Sequence, residues 1–472
     1  VWLKGLAGAV RGVLEKAKTD TSSVRAMSVS SLYGGSGIAV DASMTPLRPC
    51  LIWLDRRAQE ETAWVRREIP QDELLRVTGN GVDSYYGFTK ILWIKNHEPE
   101  VWEKIRYLLP PNAYFIYRLT GELAVDYSSA GNIGGVFDLS RRTWSKTMME
   151  ALGIPMSMMP ERLVVSSEVV GTLHKEGAEL LGLPQGIPVC AGGVDAAVAT
   201  LSADVFEEGQ HVAMMGTSMC WGLIHPNRPQ GTGFISMPYV LRPETMTYTF
   251  GGAPTAGAVV KWFRDELGGV ERAVEAWTEG GANLDAYAQL DAGAAGLSPG
   301  ADGLLLLPYF MGERSPIWDP DARGTLIGLT LYHSRAHLYR AFLEGVAYAL
   351  RHNIEAGRSA GYGLNETLLL VGGGAKSRLW TQIIASVTNM PVLAAAEGGE
   401  AAFGDAMLAA LGVGIVDEAG LRGWASTADL YRRYDPDPHD AAIYERYFQQ
   451  YTGLYADLKE RFAAMAKLSS AA

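Results

Sequence analysis

Apolar positions along the chain recur at two spacings. Leu3, Leu6, Val10 and Val13 stand at helical steps, which predicts an amphipathic helix over residues 2–18. Val24 to Ser30 then reads as a strand that stops at the turn Tyr33-Gly34-Gly35-Ser36-Gly37, and Ile38 to Asp41 reads as its successor. Pro49 to Trp53 forms a third short strand, followed by Asp55-Arg56-Arg57 and a polar helix over about 58–68. Residues 88–122 are helical in pieces, and 126–135 is a polar stretch of small residues. The pattern weakens after Pro160 and resumes at Gly186, which divides the chain into domains 1–186 and 187–472.

The second part repeats the alternation. Ile187 to Ala191 and His211 to Met215 are apolar runs that each end in a glycine turn. Gly280 to Gly303 reads as a loop within the second domain, and a long helix begins near His337. Thr367 to Val371 is a strand broken by Gly372-Gly373-Gly374, and Ser377 to Val387 and Gly399 to Leu411 are helical. Tyr444, Tyr447, Tyr451 and Tyr455 mark one face of a last helix. Strands alternating with helices make this an α/β chain.

Composition narrows the function classes. The chain has 472 residues, of which 48% are hydrophobic and 20% charged, enough to bury sizeable cores. A net charge of −11 argues against broad nucleic-acid or anionic-membrane binding, but not against a local phosphate pocket. Cys50, Cys190 and Cys220 form no CxxC and read as reduced thiols of a cytoplasmic protein. No apolar run approaches the ~20 residues of a membrane span, and no signal peptide is expected. The chain opens without Met, inside what reads as a domain.

The candidate chemistry sits at the glycine turns. The first apolar run delivers Asp195 and the second delivers Gly216-Thr217-Ser218. A carboxylate can take a hydroxyl proton, and such a turn can face phosphate oxygens. Asp195 reads equally as a helix N-cap, and Met215-Gly216-Thr217-Ser218 as a plain hairpin turn. Gly372-Gly373-Gly374-Ala375-Lys376-Ser377 joins a strand to a helix, where nucleotides often sit. It is not a Walker A loop and it lacks the last glycine of the dinucleotide fingerprint, although Glu397 lies near the ribose-acid offset. A dehydrogenase would rest on that turn alone. Asp55 and Arg57 can grip vicinal hydroxyls or merely form a surface pair. His333 and His337 are four apart, as metal-binding pairs are, but Ser334 stands between them and no third ligand is evident.

In order and spacing these segments resemble the FGGY family of carbohydrate kinases, most of all its pentulose kinases. The resemblance rests on Trp53 to Ala58, Leu109 to Tyr114, Gly192 to Ala197, Met215 to Ser218 and Pro308 to Pro316, then Ala322 to Gly324, Phe342 to Gly345 and Gly372 to Arg378. It implies a two-domain sugar-kinase/actin/heat-shock-like α/β fold with a central cleft, sugar against 1–186 and ATP with Mg2+ against 187–472. Asp195 matches the catalytic base. Gly216, Thr217 and Ser218 match the phosphate loop, with Gly257 and Lys261 near the nucleotide. Gly373, Gly374 and Arg378 match the adenosine side. Tyr33, Gly34, Asp55 and Arg57 lie where the family contacts its sugar. The partner is a small sugar or polyol, and a homodimer is common among relatives. Two departures stand out. The family's opening Asp-x-Gly-Thr turn has no match, and Leu32-Tyr33 replaces the usual Met-His of the pentulose kinases. A non-catalytic binding protein, or a kinase for gluconate, ribulose or erythritol, are the alternative expectations.

Overall fold

The computed structural model describes residues 1–32, 34–226, 233–278, 285–395, 400–425 and 431–470. The chain forms two compact units, each built from three segments: Val1–Glu208, Ile224–Thr249 and Gly399–Ser426 make the first, and Gly209–Leu223, Phe250–Gly398 and Thr427–Ala472 the second. These units divide the chain elsewhere than at residue 186, because strand Pro188–Cys190 pairs with strands Met27–Ser28 and Val169–Thr172 and so belongs to the first unit.

In the first unit a small sheet is central. Met27–Ser28 pairs in parallel with Pro188–Cys190, which pairs on its other side with Val169–Thr172. A core of Val29, Ile116, Leu119, Val164, Val170, Leu181 and Val189 fills the space beside it, and Leu6 and Val10 of the amphipathic helix Trp2–Ala17 pack against that core. Helix Ala401–Gly412 packs on helix Asp195–Ser202 through glycine: a Cβ on Gly404 would stand 2.2 Å from the Val198 carbonyl oxygen.

In the second unit His211–Met215 is the hub. It pairs antiparallel with the strand beginning at Met219 and in parallel with Leu368–Val371. Val392–Ala395 continues the parallel run, and Arg432–Tyr434 closes it antiparallel. Helices Arg335–Ser359, Arg378–Thr388 and Pro438–Ser470 belong to this unit. A buried cluster ties two of them together: Arg340 Nε and Tyr444 Oη donate to Glu344 Oε1 at 2.8 and 2.9 Å, and Arg340 Nη2 donates to Tyr444 Oη at 3.0 Å.

Several segments differ from the sequence expectation. Pro49 to Trp53 is irregular, since the Leu51 carbonyl accepts from the Ser36 amide and the Leu51 amide donates to Ser36 Oγ, leaving no ladder. The stretch read as a loop over 280–303 carries helix Ala286–Ala294, started by an Asp285 side chain that accepts from the Tyr287 amide; residues 280–284 lie outside the described residues. Residues 160–186 hold strand Val169–Thr172 and helix Lys175–Leu181. Among the described residues no helix is long and apolar enough to cross a membrane.

Candidate active site

Asp195 stands where a strand becomes a helix. Val194, in extended conformation, is the N-cap of Asp195–Ser202, and Asp195 is the first helical residue. The carboxylate therefore does not cap: its Oδ1 accepts the neighbouring Ala196 amide at 2.7 Å, and Oδ2 accepts nothing from the described residues. The backbone here is fixed by the strand end beside it. Ser31 N donates to the Gly193 carbonyl at 3.0 Å, and Asp195 N donates to the Ser31 carbonyl at 3.1 Å. Beneath it lies a buried polar network. Asp126 accepts from Asn112 Nδ2 at 2.8 Å and Ser128 Oγ at 2.5 Å, and Ser128 Oγ in turn accepts the Val194 amide at 3.0 Å.

Asp195 is walled by protein yet keeps a partly exposed surface. Burial pushes its pKa up to about 6; the Ala196 amide opposes this and the charge of Asp405 adds to it. At neutral pH the group is ionised and still a competent proton acceptor.

The residues expected to meet the sugar are partly brought together. Tyr33 lies outside the described residues. Gly34 has φ +82°, and its carbonyl accepts from the Lys90 ammonium at 3.0 Å. Lys90 is fully buried and also donates to the carbonyls of Ser84 and Tyr85 at 2.6 and 2.5 Å, so it pins two turns together. Burial lowers its pKa to about 7, with nearby Arg56 acting the same way and Asp83 and Asp55 opposing. Asp55 and Arg57 bond to each other, Nε to both carboxylate oxygens at 2.9 and 3.0 Å, and the guanidinium lies 4.8 Å from the Trp93 ring centre. Burial would raise Asp55, but the bonds and charge of Arg57 prevail and hold it below the ordinary carboxylate range. Lys90 and Asp83, the latter paired with Arg56 at 2.7 Å, were missed by sequence reasoning. Only a buried lysine in a helix of apolar residues could have flagged the first.

The nucleotide-side residues converge better. Strands His211–Met215 and Leu368–Val371 run in parallel and end together, with Met214 opposite Val371. Ligands commonly sit at such carboxyl ends. A cavity of about 480 Å³ opens there, lined by Gly216, Thr217, Gly257, Lys261, Gly373 and Gly374 among others. Glycine is required for the close approach. A Cβ on Gly257 would stand 2.5 Å from the Gly216 carbonyl oxygen, and one on Gly374 2.8 Å from Met215 Cβ. The Gly216 and Thr217 carbonyls accept the Gly257 and Ala258 amides, both at 3.0 Å, which joins the turn to the start of helix Gly257–Leu267. Lys261 is engaged with Asp265 in an exposed pair. Ser218 and Arg378 are not in the cavity lining. Sequence reasoning missed the opposite wall, Asp285, Tyr287, Asp291 and Tyr339. There Asp291 accepts Ser377 Oγ at 2.7 Å and Tyr339 Oη at 2.9 Å. The histidine pair is structural: His337 Nδ1 accepts the Ser334 amide at 3.1 Å and its Nε2 lies 3.1 Å from Asp302.

Known proteins fit this arrangement. A xylulose kinase of Bacillus subtilis (strain 168) is 30% identical over 434 residues, 91% of this chain and 82% of that protein. A gluconokinase of the same strain is 29% identical over 385 residues, 81% of this chain and 73% of that protein. The crystal structure of xylulose kinase from Rhodospirillum rubrum matches with a TM-score of 0.77 at 32% identity, covering 90% of this chain and 83% of that one. Residues 1–202 match the N-terminal domain and residues 211–413 the C-terminal domain of one carbohydrate-kinase family. With its fold, its relatives and both domains in agreement, the chain is a carbohydrate kinase, a phosphotransferase to an alcohol group, and belongs to the FGGY family.

Proposed function

We propose that this kinase transfers the γ-phosphoryl group of ATP to a terminal hydroxyl of a ketopentose or related polyol, with Asp195 as general base. The observation that carries the reading is the Asp195 carboxylate, fixed through its backbone, with Oδ2 unengaged and a pKa of about 6. Asp195 takes the hydroxyl proton as that oxygen bonds to the γ-phosphorus, the bond to the bridging oxygen breaks, and ADP leaves. Sugar contacts fall to Tyr33, Gly34, Asp55 and Arg57 in 1–186, and the nucleotide to 187–472. Gly216, Thr217 and Ser218 face the phosphates, with Gly257 and Lys261 beside them. Gly373, Gly374 and Arg378 take the adenosine side. The fit to ATP is supported by the glycine-lined cavity, where added Cβ atoms would collide with backbone or side chain. Lys261 can leave Asp265 for a phosphate at small cost, because exposed ion pairs are weak and Arg264 stays paired with Asp265. Mg2+ would arrive on the nucleotide, held mainly by phosphate oxygens and water, and would neutralise phosphate charge. A homodimer in the cytoplasm, where the free Cys50, Cys190 and Cys220 stay reduced, completes the reading.

Xylulose is the first acceptor to test, given the relatives that carry that name, and gluconate the second, given the gluconokinase. The test is coupled ADP release with ATP, Mg2+ and a panel of xylulose, ribulose, gluconate, glycerol and erythritol. One acceptor should stimulate release well above the blank. Asp195→Asn should lower turnover by roughly 10² to 10⁴ with sugar binding retained. Near-normal turnover in that variant would remove Asp195 as the base, and no stimulation by any panel member would remove the acceptor class.

A further inference from the structure

A second partly buried carboxylate stands on the helix that packs against the Asp195 helix, and it has no part in the reaction as described. Asp405 lies in helix Ala401–Gly412, and its two oxygens take three donors: Ser28 Oγ at 2.9 Å to Oδ1, and Ser30 N at 3.0 Å and Ser30 Oγ at 2.6 Å to Oδ2. Burial raises the Asp405 pKa, and the donors on its two oxygens oppose that shift by favouring the ionised form. Ser28 and Ser30 belong to the strand end whose next residue, Ser31, holds the Gly193 carbonyl and the Asp195 amide. The helix is seated by glycine at two points. A Cβ on Gly404 would meet the Val198 carbonyl oxygen at 2.2 Å, and one on Gly412 the Ser167 carbonyl oxygen at 2.1 Å and Cys190 Sγ at 2.6 Å. Asp405 is therefore carried on a rigid support set against both the helix that begins at Asp195 and the strand that leads to it. Among the described residues it forms no ion pair with a lysine or arginine.

We infer that Asp405 is a positioning residue for phosphoryl transfer: it clamps the Ser28–Ser30 strand end that fixes the Asp195 main chain, and it sets a negative charge against the helix that begins at Asp195. The inference rests on the reading of Asp195 as the base. The charged and titratable groups in this region come from four elements. The charge of Asp405, on its helix, raises Asp195; that of Asp126, in the buried network, raises Asp405; and that of Asp405 adds to the burial that raises Cys190, on the central strand. Burial keeps the Cys190 thiol protonated, so the coupling is among the three carboxyl groups, each of which when ionised raises the proton affinity of its neighbour. The consequence for catalysis is a base of higher proton affinity than a lone aspartate, which draws more strongly on the hydroxyl proton.

The test is the pH profile of kcat and kcat/KM for the whole enzyme and for Asp405→Asn, which keeps the shape and loses the charge. The acid limb should move down by roughly 0.5 to 1 pH unit. The plateau kcat should fall by about 2- to 10-fold, with the KM for sugar and for ATP changed less than about twofold. A loss of kcat equal at every pH, with the limb unmoved, would show a merely structural role and overturn the inference. If Asp405→Asn does not fold, carboxyl carbon NMR titration of the native enzyme and of Asp195→Asn decides instead. Coupling is reciprocal, so the Asp405 titration should move down when Asp195 loses its charge. An unmoved Asp405 titration refutes the proposal. Normal turnover in Asp195→Asn would instead refute the reading beneath it, so the two failures are told apart.

Discussion

Gly404→Ala puts a number on how closely the Asp195 helix is held. The added Cβ would lie 2.2 Å from the Val198 carbonyl oxygen, 2.7 Å from Val198 Cγ1 and 3.0 Å from the Val198 carbonyl carbon. Relief to an ordinary contact requires about 1 Å of separation between backbones, since neither partner is a flexible side-chain tip. Overpacking against backbone lies in the upper part of the usual range, about 2–3 kcal/mol, and the gain in helix propensity from Gly to Ala returns about 1 kcal/mol, which leaves a net loss of about 1–2 kcal/mol. The net loss should lower Tm by roughly 2 to 8 °C, at about 2–4 °C per kcal/mol. Gly8→Ala is the control in the same unit. It sits exposed in helix Trp2–Ala17 with nothing within 4 Å of its Cβ, so Tm should hold or rise slightly. Because the strained contact lies on the helix that begins at Asp195, turnover should fall by about tenfold or more, as expected for an ångström of misplacement. Thermal denaturation and steady-state kinetics read both effects. A Gly404→Ala enzyme with Tm within about 1 °C of the native value and kcat within about twofold would refute the packing argument.

Two other substitutions probe buried charge. Burial pushes Glu313 up to about 8, against the Arg314 amide and charge, from an ordinary value of 4.5. The folded state therefore binds the extra proton between those values, and this stabilisation is present below pH 4.5 and lost as pH rises toward 8. Glu313→Gln is neutral throughout, so its Tm relative to the native enzyme should climb between pH 5 and 8; a pH-independent difference would contradict the assignment. Tyr444→Phe removes the hydroxyl shared by Glu344 and Arg340 and leaves a buried ion pair under-satisfied. A loss of roughly 1–3 kcal/mol in chemical denaturation is expected, and a neutral result would mean that water replaces the hydroxyl.

Periodic segments were legible in the sequence and single-element chemistry largely so. The helix Trp2–Ala17, the strand Leu368–Val371 and the helix Arg378–Thr388 announce themselves by apolar spacing, and the strand also by the glycines that end it. Helix Ala286–Ala294 did not, because its small and mixed residues give no apolar stripe and a glycine-rich stretch surrounds it. Strand Val24–Ser30 was read too long, since only Met27–Ser28 finds ladder partners. The site shows the same divide. Glycine turns drew attention to Gly216 and Gly374 and the family resemblance to Gly257, and at Gly257 and Gly374 an added Cβ would meet its neighbours closely. Pairings between distant residues leave no local trace: Asp291 meets Ser377 across 86 positions, and Asp405 meets Ser30 across 375. Asp405 looks on its own like one acid in a helix of small residues.

The three-segment makeup of the first unit bears on when the enzyme can be finished during synthesis. Its last segment, Gly399–Ser426, follows two of the three segments of the second unit in the chain. Residues 1–208 can collapse early on the ribosome, but Ser28 and Ser30 must wait for a carboxylate made 377 and 375 residues later. Contacts closing such long loops form late and slow the search for the native state. Until then the groove that receives Ala401–Gly412 is uncovered, and apolar surface left open on a nascent chain is what chaperones bind and what aggregates. A ribosome paused before residue 399 would therefore hold a chain with most of its sequence and an unsealed base.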